Sequence, residues 1–159
     1  MKLHECIGPD YEAFRHYYAI FDGIPATKVN LEVVVYTAPP HDAEPGWVDD
    51  DLGAAEIRQH PCRTQACFIG WVSMHPDAEK RGVKYHMGRL WLDGLPSNFV
   101  EVAKRLFHID DDEAVEIFAD SPSQYDADYL APMEKLPYKN DKERVQYRIR
   151  AFLKQHRQL

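Results

Sequence analysis

Four side chains that zinc chemistry or thiol chemistry could use lie within sixteen residues: His60, Cys62, Cys67 and His75. Imidazole nitrogen and thiolate sulfur are the donors zinc prefers. The Cys-x4-Cys spacing is not that of a finger or ribbon, and no second cysteine pair completes one. A cysteine inside a helix also turns its sulfur away from one that precedes the helix. The same residues could instead make a reactive thiolate. Thr64 reads as an N-cap, which places Cys67 at about the third helical position, where free amides and the helix dipole favour the thiolate. No general base stands at a diagnostic spacing. Cys67 is followed by Phe68 and Ile69 and should point inward as a small apolar core residue, as free cysteines commonly do. Cys62, behind Pro61, should be the more exposed of the two.

A second candidate is electrostatic. Between Pro40 and Ile57 the chain carries six carboxylates and no cation: Asp42, Glu44, Asp49, Asp50, Asp51 and Glu56. Trp47 lies among them, and Pro39, Pro40, Pro45 and Gly46 punctuate the segment. A connection this long, from 38 to 60, is uncommon in a compact domain and is often functional. It reads as a recognition segment for a basic partner, with Asp42, Glu44, Trp47, Asp49, Asp50 and Asp51 as contact residues. The competing reading is plain solvated surface, with Trp47 pinning the loop. The opposite charge collects at the other end. Residues 142 to 159 hold six Lys/Arg and one Glu, a net of +5, against −7 for the whole chain.

These groups need elements to position them. Phe14, Tyr17, Tyr18 and Phe21 recur at i, i+3, i+4 and i+7 and predict a helix from Pro9 to Phe21. Val33 to Tyr36, within Asn30–Thr37, reads as a strand. A short helix is expected over Asp51–Gln59, and another from Thr64 to near His75-Pro76. Val83 to Asp93 alternates around Gly88 and predicts a hairpin. Ser97 should cap a helix whose core face is Phe99, Val102, Ala103 and Leu106. Asp110 and Glu113 form a capping box for the next, with Ala114, Ile117 and Phe118 inward. A Pro-rich linker through Pro122, Pro132 and Pro137 leads to a second box, Asn140 with Glu143. The last helix then presents Val145, Ile149, Phe152 and Leu153. The expected fold is α+β: a single helix-rich domain over 1–159, with a small antiparallel sheet formed by the Asn30–Thr37 strand and the hairpin, and a C-terminal amphipathic helix.

Composition narrows the function classes. At 159 residues, 45% hydrophobic and 28% charged, the chain can bury a core without disulfides or metal. No run approaches the roughly 18 apolar residues of a membrane span. One lysine and no apolar stretch precede the first acidic residue, so no secretory leader is expected. Three cysteines do not make a disulfide framework, which points to the cytoplasm. A net charge of −7 disfavours nucleic acid and anionic membrane as general partners. The helix pair from Asn98 to Ala119 has the brevity of a helix-turn-helix. However, Asp111-Asp112-Glu113 would set carboxylates against phosphates where a recognition helix offers Arg, Lys or Asn. Asp110-Asp111-Asp112 lacks the glycine and distal glutamate of a calcium loop. The basic side of the last helix (Arg144, Arg148, Arg150, Lys154, Arg157) reads first as the solvated face of a packing helix.

Cys62, Thr64, Cys67, Gly70 and Trp71 resemble a Cys-Gly-Thr-x-x-Cys-x-x-Gly-Trp pattern of uncharacterised small proteins of bacteria and their phages. Ala103, Leu106, Ile109, Glu113, Ala114, Ile117 and Phe118 follow that pattern's downstream helix pair. Arg63 replaces its Gly, and Phe107-His108 replaces a small residue. The resemblance spans about residues 62 to 120 and implies a gene context, a phage or prophage accessory protein, rather than a reaction. The sequence therefore favours a non-enzymatic protein without cofactor that engages a basic host-protein surface through the acidic segment. The alternative is a thiol- or zinc-dependent enzyme built on His60, Cys62, Cys67 and His75.

Overall fold

The computed structural model describes residues 8–37 and 64–159. Among them are six α-helices and two small antiparallel sheets, an α+β fold ending in an amphipathic helix. The first helix, α1, spans Tyr11–Asp22. Asp10 caps it by accepting from the Ala13 amide at 3.0 Å, so Pro9 lies just outside the helix. Phe14, Tyr17 and Phe21 are buried as their spacing requires, and Tyr18 is half-buried.

The structure divides the expected sheet in two. Strand β1 (Val35–Thr37) pairs antiparallel with β2 (Thr64–Ala66), in the register Val35↔Ala66. The strand is shorter than Asn30–Thr37 because two side chains claim its first amides. Asn30 Oδ1 accepts from the Glu32 N–H at 2.9 Å, and Asp141 Oδ2 accepts from the Leu31 N–H at 3.0 Å. Strands β3 (Val83–His86), β4 (Arg89–Leu92) and β5 (Leu95–Ser97) form a separate meander. Met87-Gly88 and Asp93-Gly94, all at positive φ, make its two tight turns. The three-residue β5 contains Pro96 and lies at an edge, the position where a sheet tolerates proline.

Helix α2 (Phe68–Ser73) is buried on all sides, which marks it as the central helix. A short helix α3 (Pro76–Glu79) follows it. Helices α4 (Phe99–Phe107), α5 (Asp111–Phe118) and α6 (Asp141–Gln155) complete the set. Phe14, Phe68, Phe107, Phe118 and Phe152 join α1, α2, α4, α5 and α6 in one aromatic cluster. Phe14 stacks on Phe107 at 4.4 Å between centroids, and Phe68 on Phe118 at 5.0 Å. Truncating any one of these fully buried rings should cost roughly 3–5 kcal/mol.

The capping residues agree with sequence at α5 and shift elsewhere. Asp110 and Glu113 form the full reciprocal box. Asn98, not Ser97, caps α4 by accepting from the Glu101 N–H at 3.0 Å, because Ser97 is held in β5 opposite Leu90. Asn140 caps α6 through the Glu143 N–H. The Glu143 carboxylate, however, accepts from Lys139 N–H rather than Asn140 N–H, so that box is only half formed. No described helix is long and apolar enough to cross a membrane.

Candidate functional site

The Cys67 region differs from its sequence reading in one decisive way. Thr64 does not cap a helix; residues 64–66 form β2, and α2 starts only at Phe68. Cys67 is the N-cap. Its Sγ accepts from the Gly70 amide at 3.4 Å, and its own amide donates to the Val33 and Val34 carbonyls at 3.0 and 3.2 Å. Only 4% of Cys67 is exposed. Burial pushes its thiol pKa up to about 11, with hydrogen bonds from the backbone amides of Gly70, Ile69 and Cys67 itself pulling the other way. Desolvation thus overrides the favourable helix start, and at neutral pH the sulfur stays a protonated, inert thiol.

The neighbouring motif residues have equally structural reasons. A Cβ at Gly70 would collide with the Val34 carbonyl oxygen, so only glycine lets α2 approach that backbone. The Trp71 indole donates from Nε1 to the Lys28 carbonyl at 2.8 Å. Cys67, Gly70 and Trp71 together seat α2 against residues 28–35. Spacing pointed to chemistry here, and the geometry provides an anchor.

His75 caps α3: its Nδ1 accepts from the Asp77 amide at 3.2 Å. The Asp77 carboxylate binds His16 Nε2 at 2.8 Å and lies 3.7 Å from His75 Nδ1. The bond from His16 lowers the Asp77 pKa, with smaller contributions from His75 and Lys80. Among the described residues no three His, Cys, Asp or Glu side chains are placed to hold a metal ion. His60 and Cys62 lie outside the described residues. So do the contact residues Asp42, Glu44, Trp47, Asp49, Asp50 and Asp51, and the short helix expected over Asp51–Gln59. Beside His75, the side chains of Ile20, Ile24, Pro25 and Trp71 wall an apolar hollow of about 370 Å³. It offers room for a ring or an aliphatic chain, with Lys28 and His75 as its polar lining residues.

The strongest electrostatic feature lies outside the candidates drawn from sequence. Arg148 is fully buried and makes five hydrogen bonds. Two go to the Asp126 carboxylate at 2.7 and 3.0 Å; the others go to the Ile117, Ala119 and Ser121 carbonyls. Arg144 adds a bond to Asp126 Oδ2 at 3.0 Å. Burial raises the Asp126 pKa, but the bonds from Arg148 and Arg144 outweigh it and leave the carboxyl below its usual range. The expected solvated basic face on α6 is thereby corrected for Arg144 and Arg148, while Arg150, Lys154 and Arg157 are exposed as expected. Arg148 satisfies the Ile117 and Ala119 carbonyls at the end of α5, and Arg148 and Arg144 together fasten the 119–126 loop. One signal was available: Arg148 lies three residues after Val145 and four before Phe152, inside the apolar stripe. No family model, curated protein or solved structure matches the chain.

Proposed function

We propose that the protein is a non-enzymatic binding protein, a cytoplasmic accessory protein of a phage or prophage. In this reading it engages a basic surface of a host protein through Asp42, Glu44, Trp47, Asp49, Asp50 and Asp51. The observation that carries the reading is the fate of the C-terminal cations. Arg144 and Arg148 are bound to Asp126, Lys142 donates to the Asp22 carbonyl at 2.7 Å, and Arg150 donates to the Tyr18 hydroxyl at 2.7 Å. The basic end of the sequence therefore serves largely to hold the fold together. The acidic run from 42 to 56 carries six carboxylates and no cation of its own. The inert Cys67 thiol favours binding over thiol catalysis.

The test is capture from host lysate by the full chain and by a variant carrying Asp49→Asn, Asp50→Asn and Asp51→Asn. Charged contacts act through screened, long-range attraction. The variant should therefore capture less at low salt and lose the salt dependence of the parent, with its melting temperature nearly unchanged. Equal capture by both proteins in low and high salt would refute the proposal.

A further inference from the structure

The β3–β4–β5 meander has one face on the core and one in solvent, and the solvent face is chemically unlike the rest of the chain. Val83, Tyr85 and Leu90 alternate inward and are buried. The alternate residues on the other face are Lys84, His86, Arg89, Trp91 and Pro96. Trp91 stands directly opposite Lys84 on one side and Pro96 on the other, and His86 stands opposite Arg89. From Lys80 to Val100 the sequence holds four cations besides His86 and a single carboxylate, Asp93. That carboxylate is already neutralised by Arg105, at 2.9 and 2.6 Å. Lys80 and Arg81 are engaged with Asp77 and Asp10. Lys84 and Arg89 are exposed, and no described carboxylate pairs with them.

The Trp91 ring is fixed rather than loose. Its Nε1 donates to the His86 carbonyl at 2.9 Å, which satisfies the one polar atom of the indole and leaves its π surface half-exposed between Lys84 and Pro96. Strands are spaced about 4.8 Å apart, so the row Lys84–Trp91–Pro96 spans about 10 Å, the scale of one stacked base with its flanking phosphates. A rigid aromatic platform flanked by unpaired cations is the arrangement that holds single strands without regard to sequence.

We propose that this sheet face binds single-stranded nucleic acid, with a base stacked on Trp91 and phosphates on Lys84 and Arg89. The net charge of −7 does not oppose this, because at 0.1 M salt charges more than about 10 Å away are largely screened. The site is small, so its binding should be weak and only mildly salt-dependent. Two or three neutralised phosphates give a slope of log K against log salt of about −1.4 to −2.

Fluorescence anisotropy of labelled dT12 and U12 at low salt tests the proposal on the full chain, with a DNA duplex of equal length, heparin and phosphatidylserine vesicles as further probes. Both single strands should bind better than the duplex. Trp91→Leu should weaken binding about tenfold or more, since a base stacked on an aromatic ring contributes on that scale. Trp91→Tyr loses the bond to His86 but keeps a ring, and should retain most of the affinity. This pair separates stacking from damage to the hairpin. Lys84→Gln with Arg89→Gln touches only exposed side chains and should flatten the salt slope by about 1.4. The proposal is overturned if no oligonucleotide binds at low salt. It is equally overturned if duplex and heparin bind as well as dT12 with Trp91→Leu indifferent, or if only the vesicles bind.

Discussion

Replacing Arg148 with Met keeps a long apolar stem and removes the guanidinium from the least exposed charge cluster of the described residues. In the parent, the Arg148 side chain has no exposed area and that of Asp126 has 1%. The change deletes both bonds to Asp126 and leaves the Ile117, Ala119 and Ser121 carbonyls without their donor. Asp126 keeps Arg144 and the Ser123 amide, so it is not wholly abandoned. Breaking a buried pair by removing one partner costs about 3–5 kcal/mol. For a chain of this length that corresponds to a fall in Tm of roughly 6–20 °C. Urea unfolding followed by circular dichroism measures the loss, and Asp126→Leu added to Arg148→Met should recover part of it, because no buried carboxylate then remains. The acid side gives a second reading. The native pKa of Asp126 is depressed, so its contribution is fully present above the unfolded carboxyl value of about 3.9 and is lost as pH falls through the lower native value. Between pH 5 and 8 the difference between parent and variant should therefore stay constant, and it should shrink in more acidic solution. A loss below about 1 kcal/mol, the scale of an exposed pair, would refute the burial argument.

Two further predictions concern α2. Gly70→Ala forces a methyl group into the Val34 carbonyl, and should cost about 1–3 kcal/mol as overpacking does, against the small gain in helix propensity that alanine brings elsewhere. Equal or higher stability in urea unfolding would mean that α2 does not approach that backbone. The Cys67 thiol should resist iodoacetamide in the native protein at pH 8 and react on unfolding, as read by peptide mass spectrometry, since its pKa of about 11 leaves little thiolate. Rapid native labelling at Cys67 would reopen thiol chemistry there.

Those elements whose burial follows a single helical stripe were legible in sequence. Phe14, Tyr17 and Phe21 marked α1, and Val145, Ile149, Phe152 and Leu153 marked α6. Asp110 and Glu113 announced α5, because a capping box is local and depends on nothing distant. The reading failed where tertiary structure overrode local preference. Thr64 is a good N-cap residue in isolation, but pairing with residues 35–37 drew it into a strand. The cap passed to Cys67, whose sulfur is a weaker acceptor than a hydroxyl and carries little sequence signal. Asp126 was hidden for a similar reason. It lies 22 residues from Arg148, in a proline-rich linker, and nothing in its own neighbourhood reveals that its carboxylate is buried. Of the candidate site, Cys67 was read as an inward-pointing core residue and is one, while the metal and thiolate chemistry also weighed for it and for His75 gains no support from their hydrogen bonds. The sheet face around Trp91 went unnoticed because net charge was weighed over the whole chain.

Lys84 and Arg89 look, as residue types, no different from Arg144 and Arg148. What separates them is the period of the element that carries each pair. On α6, positions 144 and 148 are one turn apart and lie beside Val145 and Ile149, so the apolar stripe that docks the helix carries them toward Asp126 and the end of α5. In the meander the period is two, and burying Val83, Tyr85 and Leu90 obliges Lys84, Arg89 and Trp91 to face the other way. One pair must then find carboxylates or destabilise the fold, while the other remains in water with its charge intact. Function is therefore better sought where period and burial together leave a cation unpaired than where cations are most numerous. By that criterion Lys84 and Arg89 are available to an anionic ligand, whereas Arg144 and Arg148 are not.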